Sequence, residues 1–216
     1  LGSVKKVILN GAVENIKKNA FSYLTNLEEI KIQGAVNLKD IDQHALDGTK
    51  LLKDKADNKQ DIVIGNALFK VTNPDLIEYT IPAGVNVIAE YAFSSCKGLE
   101  TINNISQITH FGQHALDSCD KFLDKNKNEE GLVVINNILI ANRVSSKQEV
   151  IHVDENVKEI VSGALTVSNP EQLKEAYIYS NNIKISRNAF EKNAKLSKVV
   201  FFCDFLHPIV ENFFER

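Results

Sequence analysis

Apolar positions along this chain fall into two recurring figures separated by polar stretches. In the first, two apolar residues three apart are followed by an Ala and then a large apolar residue. The copies are Val13/Ile16/Ala20/Phe21, Leu38/Ile41/Ala45/Leu46, Val85/Ile88/Ala92/Phe93, Ile108/Phe111/Ala115/Leu116 and Val157/Ile160/Ala164/Leu165. A last copy, Ile185/Ala189/Phe190, has polar Asn182 in its first slot. In the second figure a large apolar residue precedes an alternating pair, as in Leu27/Ile30/Ile32 and Leu196/Val199/Phe201. Alternation predicts a strand with one buried face.

The leading residue of the second figure recurs at Val4, Leu27, Leu52, Leu76, Leu99, Phe122, Gln148, Leu173 and Leu196, in steps of 23 to 26. Such a period is that of a leucine-rich repeat, in which one unit cannot bury its apolar side alone and stacked neighbours supply the core. The expected fold is an α/β solenoid of about eight or nine units over residues 1–202, elongated and mildly curved. Short parallel strands would line its concave face, with short helices, turns and β-hairpins on the other. The invariably small Ala fits a tight bend with room for little more than a methyl group.

Two intervals break the pattern: Ala45 to Ala92 spans 47 residues and Ala115 to Ala164 spans 49, each about two periods. In place of a helical Ala-Phe turn stand Ile62-Val-Ile-Gly-Asn-Ala-Leu-Phe69 and Val133-Val-Ile-Asn-Asn-Ile-Leu-Ile140. A Gly-Asn or Asn-Asn pair between apolar runs predicts a tight β-hairpin. Short helical units should therefore alternate with hairpin-bearing units near 52–75 and 122–147. The closing stretch, 201–216, is the most aromatic part of the chain, and 203–216 is expected to be a cap or the start of a further unit.

The segment Tyr79-Thr-Ile-Pro-Ala-Gly-Val-Asn-Val-Ile-Ala-Glu-Tyr-Ala-Phe-Ser-Ser-Cys-Lys-Gly-Leu-Glu-Thr-Ile102 resembles the BspA-like leucine-rich repeat almost position for position. Weaker copies extend from Val4 to about Phe202. Departures are the single Ile-Pro and the slot of Cys96 and Cys119, which elsewhere holds Leu24, Thr49, Ser168 or Asn193. The resemblance implies a bacterial or protozoan surface protein from a family associated with adhesion and host-protein binding.

Charge and chemistry narrow the function further. With 25 basic and 28 acidic residues the net charge is −3, which gives no global field to attract nucleic acid or anionic lipid. No window of eighteen apolar residues and no secretory-signal pattern is present, so direct membrane insertion of this segment is not expected. The chain lacks Met even at position 1 and reads as a portion of a longer product whose signal and anchor lie elsewhere. Three cysteines, Cys96, Cys119 and Cys203, lack metal-ligand spacing; the first two share a slot in adjacent units and read as small buried hydrophobes.

His44 and His114, each in Gln-His-Ala-Leu, read as solvent-facing helix positions because the slot also holds Asn19, Tyr91, Gly163 and Asn188. Asp124, Asn126 and Asn128 fail the calcium-loop pattern at Gly131 and Ile135 and read as a solvated turn, as do Asp54, Asp57, Asn58 and Asp61. Asn104-Ile-Ser106 fits a glycosylation acceptor, relevant only in a eukaryotic secretory route. Lacking phosphate loops, metal-binding helices and paired carboxylates, the chain is expected to be non-enzymatic and cofactor-free.

If the alternating Ile and Leu point inward, the residues between them form an outward row. Read in order it is Lys6/Ile8, Glu29/Lys31, Glu78/Thr80, Thr101/Asn103, Val150/His152, Glu175/Tyr177 and Lys198/Val200. The later part gains aromatics, with Tyr179 and Phe202 beside it. The expected binding residues are Val150, His152, Glu175, Tyr177, Tyr179, Lys198, Val200 and Phe202. The functional expectation is a monomeric, cell-surface or secreted recognition protein that engages a host or matrix protein or a glycan. The alternatives are a structural spacer and an intracellular interaction scaffold.

Overall fold

The computed structural model describes residues 2–167 and 171–202. The chain divides into two compact units, Leu1–Lys121 and Phe122–Arg216. In the first unit β1 (Lys6–Asn10), β2 (Asn15–Ile16), β3 (Glu29–Gln33) and β4 (Asp40–Ile41) are followed by α1 (Lys50–Asp57). Next come the hairpin of β5 (Ile62–Ile64) and β6 (Ala67–Lys70), then β7 (Glu78–Thr80), β8 (Val87–Ile88), β9 (Thr101–Asn103) and β10 (His110–Phe111). After α2 (Asp120–Asn126), the second unit holds the hairpin of β11 (Leu132–Ile135) and β12 (Ile138–Asn142). It continues through β13 (Val150–Val153), β14 (Glu159–Ile160), β15 (Glu175–Ile178), β16 (Lys184–Ile185) and β17 (Lys198–Phe201).

Each repeat supplies strands to two ladders. In the first unit β1 pairs with β3, β2 with β4 and β7 with β9, all in parallel, while another sheet runs β10-β8-β6-β5. In the second unit the sheets are β13-β15-β17 and β11-β12-β14-β16. Partners lie one period apart: Lys6 opposes Glu29, and Val150, Glu175 and Lys198 stand abreast. The sequence step is thus the physical rung, and each unit is a β-solenoid stack with few helices. Both expected hairpins form, as β5/β6 and β11/β12, the only antiparallel pairings between the named strands. Their turns use left-handed residues, Gly65 (φ 59°) in one and Asn136 and Asn137 (φ 52° and 65°) in the other.

The core follows the apolar figures. Leu27, Ile41, Leu46, Ile88, Phe93, Leu99, Ile151, Ile160, Leu173 and Ile178 are sealed from solvent. Of the six repeated alanines, Ala45, Ala92, Ala115, Ala164 and Ala189 are buried, whereas Ala20 in the first rung is exposed.

The helix expectation is corrected. The Ala-Phe segments are hydrogen-bonded turns, and the two α-helices lie instead in the hairpin-bearing repeats. The residue before the Ala is left-handed in five rungs: Asn19, Tyr91, His114, Gly163 and Asn188 have φ between 50° and 75°. A right-handed helix cannot propagate through that conformation. Amide hydrogens that would close helical turns go sideways: Phe21 donates to the Ala45 carbonyl, Phe93 to that of Ala115 and Leu165 to that of Ala189. Helix α1 bonds to its neighbour only through its first two amides, where Lys50 and Leu51 donate to the Thr25 and Leu27 carbonyls. These amides have no partner within a helix, so the turn can propagate, and the Thr49 hydroxyl caps it by accepting from the Leu52 amide at 3.3 Å.

Side chains reinforce the stacking. Strands β6 and β12 both end on a donor that reaches the next turn. The Lys70 amine donates to the Tyr91 carbonyl and Ser94 hydroxyl, and the Asn142 amide to the Ala164 and Thr166 carbonyls. Burial pushes the Lys70 amine below its ordinary value. Among the described residues no helix is long and apolar enough to cross a membrane. Cys203 and the expected cap at 203–216 lie outside the described residues.

Candidate functional site

Strands β13 and β15 are buried along one side through Ile151, Val153, Ala176 and Ile178, and β17 sets the half-buried Val199 and Phe201 in register on the same side. Strand alternation therefore sends the intervening side chains to the other side, and parallel register ranks them in columns. The first column is Val150, Glu175 and Lys198; the second is His152, Tyr177 and Val200. Continuing the register past the strand ends sets Tyr179 beside Phe202, so all eight expected residues share one face.

The rings on this face form a layered stack. His152 lies 5.2 Å from Tyr177 and 5.9 Å from Tyr179, with planes tilted by only 15° and 14°. On the far side Phe202 lies 4.9 Å from Tyr179 at 7° and 6.3 Å from Tyr177 at 19°. Adjacent strands about 4.8 Å apart impose this face-to-face spacing. Tyr179 and Phe202 remain 39% and 52% exposed, large values for aromatic side chains.

Polar atoms around the stack engage one another. The Tyr177 hydroxyl donates to Glu175 and lies 2.8 Å from the Lys198 amine, which in turn reaches the Glu175 carboxylate at 3.2 Å. The Lys198 nitrogen also lies 5.0 Å from the Tyr177 ring centre, within cation–π range. The Tyr177 hydroxyl first, and Lys198 second, hold the Glu175 carboxyl below the usual carboxylate range; the same network raises Lys198. His152 Nδ1 is 3.1 Å from the Tyr179 hydroxyl. At the border Lys174 pairs with Glu149 at 2.6 Å. The sequence reading missed this last pair, although opposite charges one period apart signal it.

The corresponding face of the first unit has a different character. Lys6, Glu29 and Lys31 form an ion-paired cluster on β1 and β3. On β7 and β9 the Asn103 amide donates to Glu78 and Thr80. Isolated apolar side chains such as Ile8 are exposed there, but no ring stack forms among the described strand residues.

The other sequence candidates resolve into structural roles. His114 is not a solvent-facing helix residue: its side chain is only 15% exposed, its φ is 55° and its ring packs 5.0 Å from Tyr91. His44 is more exposed and binds Asp47 at 2.7 Å, as His114 binds Asp117. Buried thiols Cys96 and Cys119 donate to the carbonyls of Asn73 and Phe93 at 3.7 Å. Burial pushes Cys96 up to about 11 and Cys119 up to about 12. Asp124 is held by Lys127 and Arg143, and Asn126 donates to the Phe122 carbonyl. Asn104 opens a 3-10 turn and donates to the Ile81 carbonyl at 3.3 Å.

Rungs one period apart, two strand ladders and interrupting hairpins define a leucine-rich-repeat protein with one aromatic strand face. The BspA type leucine rich repeat region matches in six copies, over residues 1–123, 62–197 and 127–216, and the chain belongs to that family. Leucine-rich repeats are typically non-enzymatic and generally bind other proteins. No protein of curated function matches the chain.

Three similar solved structures illustrate the likeness. A leucine rich cell surface protein from Faecalibacterium prausnitzii is 18% identical over 92% of this chain and 61% of its own, with a TM-score of 0.36. The pneumococcal vaccine antigen PcpA is 16% identical over 91% of this chain and 39% of its own, with a TM-score of 0.31. A leucine-rich repeat protein from Bacteroides ovatus is 18% identical over 93% and 56%, with a TM-score of 0.32. This chain therefore spans less than two thirds of each.

Proposed function

We propose that the chain is a non-catalytic recognition segment of a cell-surface protein, and that it binds a host or matrix protein in the manner of an adhesin. The binding face is that of β13, β15 and β17. Tyr177, Tyr179, Phe202 and His152 supply contact area, Val150 and Val200 fill the same face, and Glu175 and Lys198 fix its polar margin. The observation that carries this reading is the half-exposed aromatic stack, on a strand face whose counterparts in the first unit are polar. Rigid aromatics give large contact area at small entropic cost and dominate protein interfaces. Family membership supports placement at a cell surface.

The test is surface-immobilised binding of purified matrix proteins to the chain and to His152→Ala and Tyr177→Ala variants. A partner should bind the parent and lose at least tenfold affinity with each variant. Undiminished binding would remove the site, and absence of any partner would leave a spacer role as the better reading.

A further inference from the structure

Resting on that reading of the strand face, we infer that its occupant is a proline-rich polypeptide segment in the polyproline II conformation, lying across the strands along the aromatic columns. Three features of the face select this chemistry over a glycan or a charged peptide.

The first is charge. Glu175 is matched by Lys198 and Glu149 by Lys174, so the acidic and basic groups bordering the rings cancel within the face. A partner complementary to this margin carries no net charge of its own where it touches the stack.

The second is the state of the polar atoms. The Tyr177 hydroxyl is committed to Glu175 and Lys198, and the Tyr179 hydroxyl lies against His152 Nδ1. A glycan needs donors and acceptors free to meet its many hydroxyls, and a site whose exposed polar groups already satisfy one another gains little by exchanging them. Beside these paired groups the face presents ring carbon and the half-buried methyl groups of Val150 and Val200. Proline is suited to it, since its ring is apolar and its backbone has no amide hydrogen to satisfy.

The third is dimension. A polyproline II helix has about three residues per turn and rises about 3.1 Å per residue, so one side of it recurs every ~9.3 Å. Neighbouring strands are about 4.8 Å apart, so β13 and β17 are separated by ~9.6 Å. Prolines at positions i and i+3 therefore fall over the first and third strands with Tyr177 and Tyr179 between them. An open sheet face gives no enclosure, and a ligand already extended in solution loses the least entropy on binding it.

The experiment is an NMR titration of the full chain with a poly-L-proline peptide of about ten residues. A Gly-Ser peptide of equal length and a mixed oligosaccharide panel are the comparison probes. Polyproline should shift the side-chain signals of Tyr177, Tyr179 and Phe202 and should bind equally well at low salt and about 0.5 M salt. Tyr179→Ala/Phe202→Ala should weaken it at least tenfold, whereas Tyr179→Phe, which keeps the ring, should stay within about threefold of the parent. Thermal midpoints confirm that both variants fold.

Equal binding to the double variant, or no polyproline binding, overturns the inference. If polyproline fails while a matrix protein still depends on His152 and Tyr177, only the ligand chemistry is wrong and the recognition face stands. Tyr179-dependent capture of an oligosaccharide overturns both the polyproline and the protein-partner readings.

Discussion

Replacing Gly112 with Ala tests the rung spacing on which the whole reading rests. The Gly112 amide donates to the Ile88 carbonyl at 2.7 Å, one rung away, and this brings two backbones together. A methyl group at Gly112 would stand 2.4 Å from the Glu90 nitrogen and 2.7 Å from the Ala89 carbonyl carbon. Real contacts of this kind need more than 3 Å, and both obstructing atoms are backbone, so the rungs must part. Overpacking of this sort costs roughly 1–3 kcal/mol, and rigid neighbours place it at about 3. In a unit the size of Leu1–Lys121 that cost lowers the thermal midpoint by on the order of 10 °C.

The assay is thermal and urea unfolding followed by circular dichroism, with Gly34→Ala as the reference. Gly34 has φ +91° and no atom within 4 Å of an added methyl, so its substitution carries only backbone strain, roughly 1–2 kcal/mol. If Gly112→Ala is no more destabilising than Gly34→Ala, the rungs are not in backbone contact there and the stacking argument fails.

Three further outcomes are expected. Ala189→Leu, at a sealed position whose carbonyl accepts from Leu165 at 2.9 Å, should destabilise the second unit by roughly 1–3 kcal/mol in urea unfolding, and a neutral result would contradict the tight bend. Cys96 and Cys119 are pushed up to about 11 and about 12 by burial, so their contribution is intact below the unfolded thiol value of about 8.5 and is lost as pH rises toward the folded values. The double variant Cys96→Ala/Cys119→Ala should therefore show a flatter decline in stability between pH 8 and pH 10, and an unchanged slope argues against the burial. Burial raises Asp40, whose Oδ1 has no hydrogen-bond partner, and burial and then Asp40 raise Glu90. Stability from these groups is full below about pH 4 and is lost as pH rises through the raised values, so Asp40→Asn should reduce the fall between pH 4 and pH 7; equal falls would refute the coupling.

Much of the fold was legible in the residues. Leu27, Ile30 and Ile32 announced a strand, their spacing announced the rung, and Gly65-Asn66 and Asn136-Asn137 announced the hairpins. The column of Val150, Glu175 and Lys198 followed from the same arithmetic, because parallel ladders pair residues one period apart. Less legible was the Ala-Phe turn. Asn19, Gly163 and Asn188 before the Ala were a readable sign of left-handed backbone, but His114 and Tyr91 in the same slot hid it.

The sequence by itself determined the period, the inward and outward alternation and the membership of each column, since these are local spacings repeated along the chain. Only the tertiary structure decided that the turns forgo helix for bonds to the next rung. It alone decided that His152, Tyr177, Tyr179 and Phe202 lie plane against plane. Both outcomes depend on the distance and orientation between backbones about two dozen residues apart, and no local preference encodes those quantities.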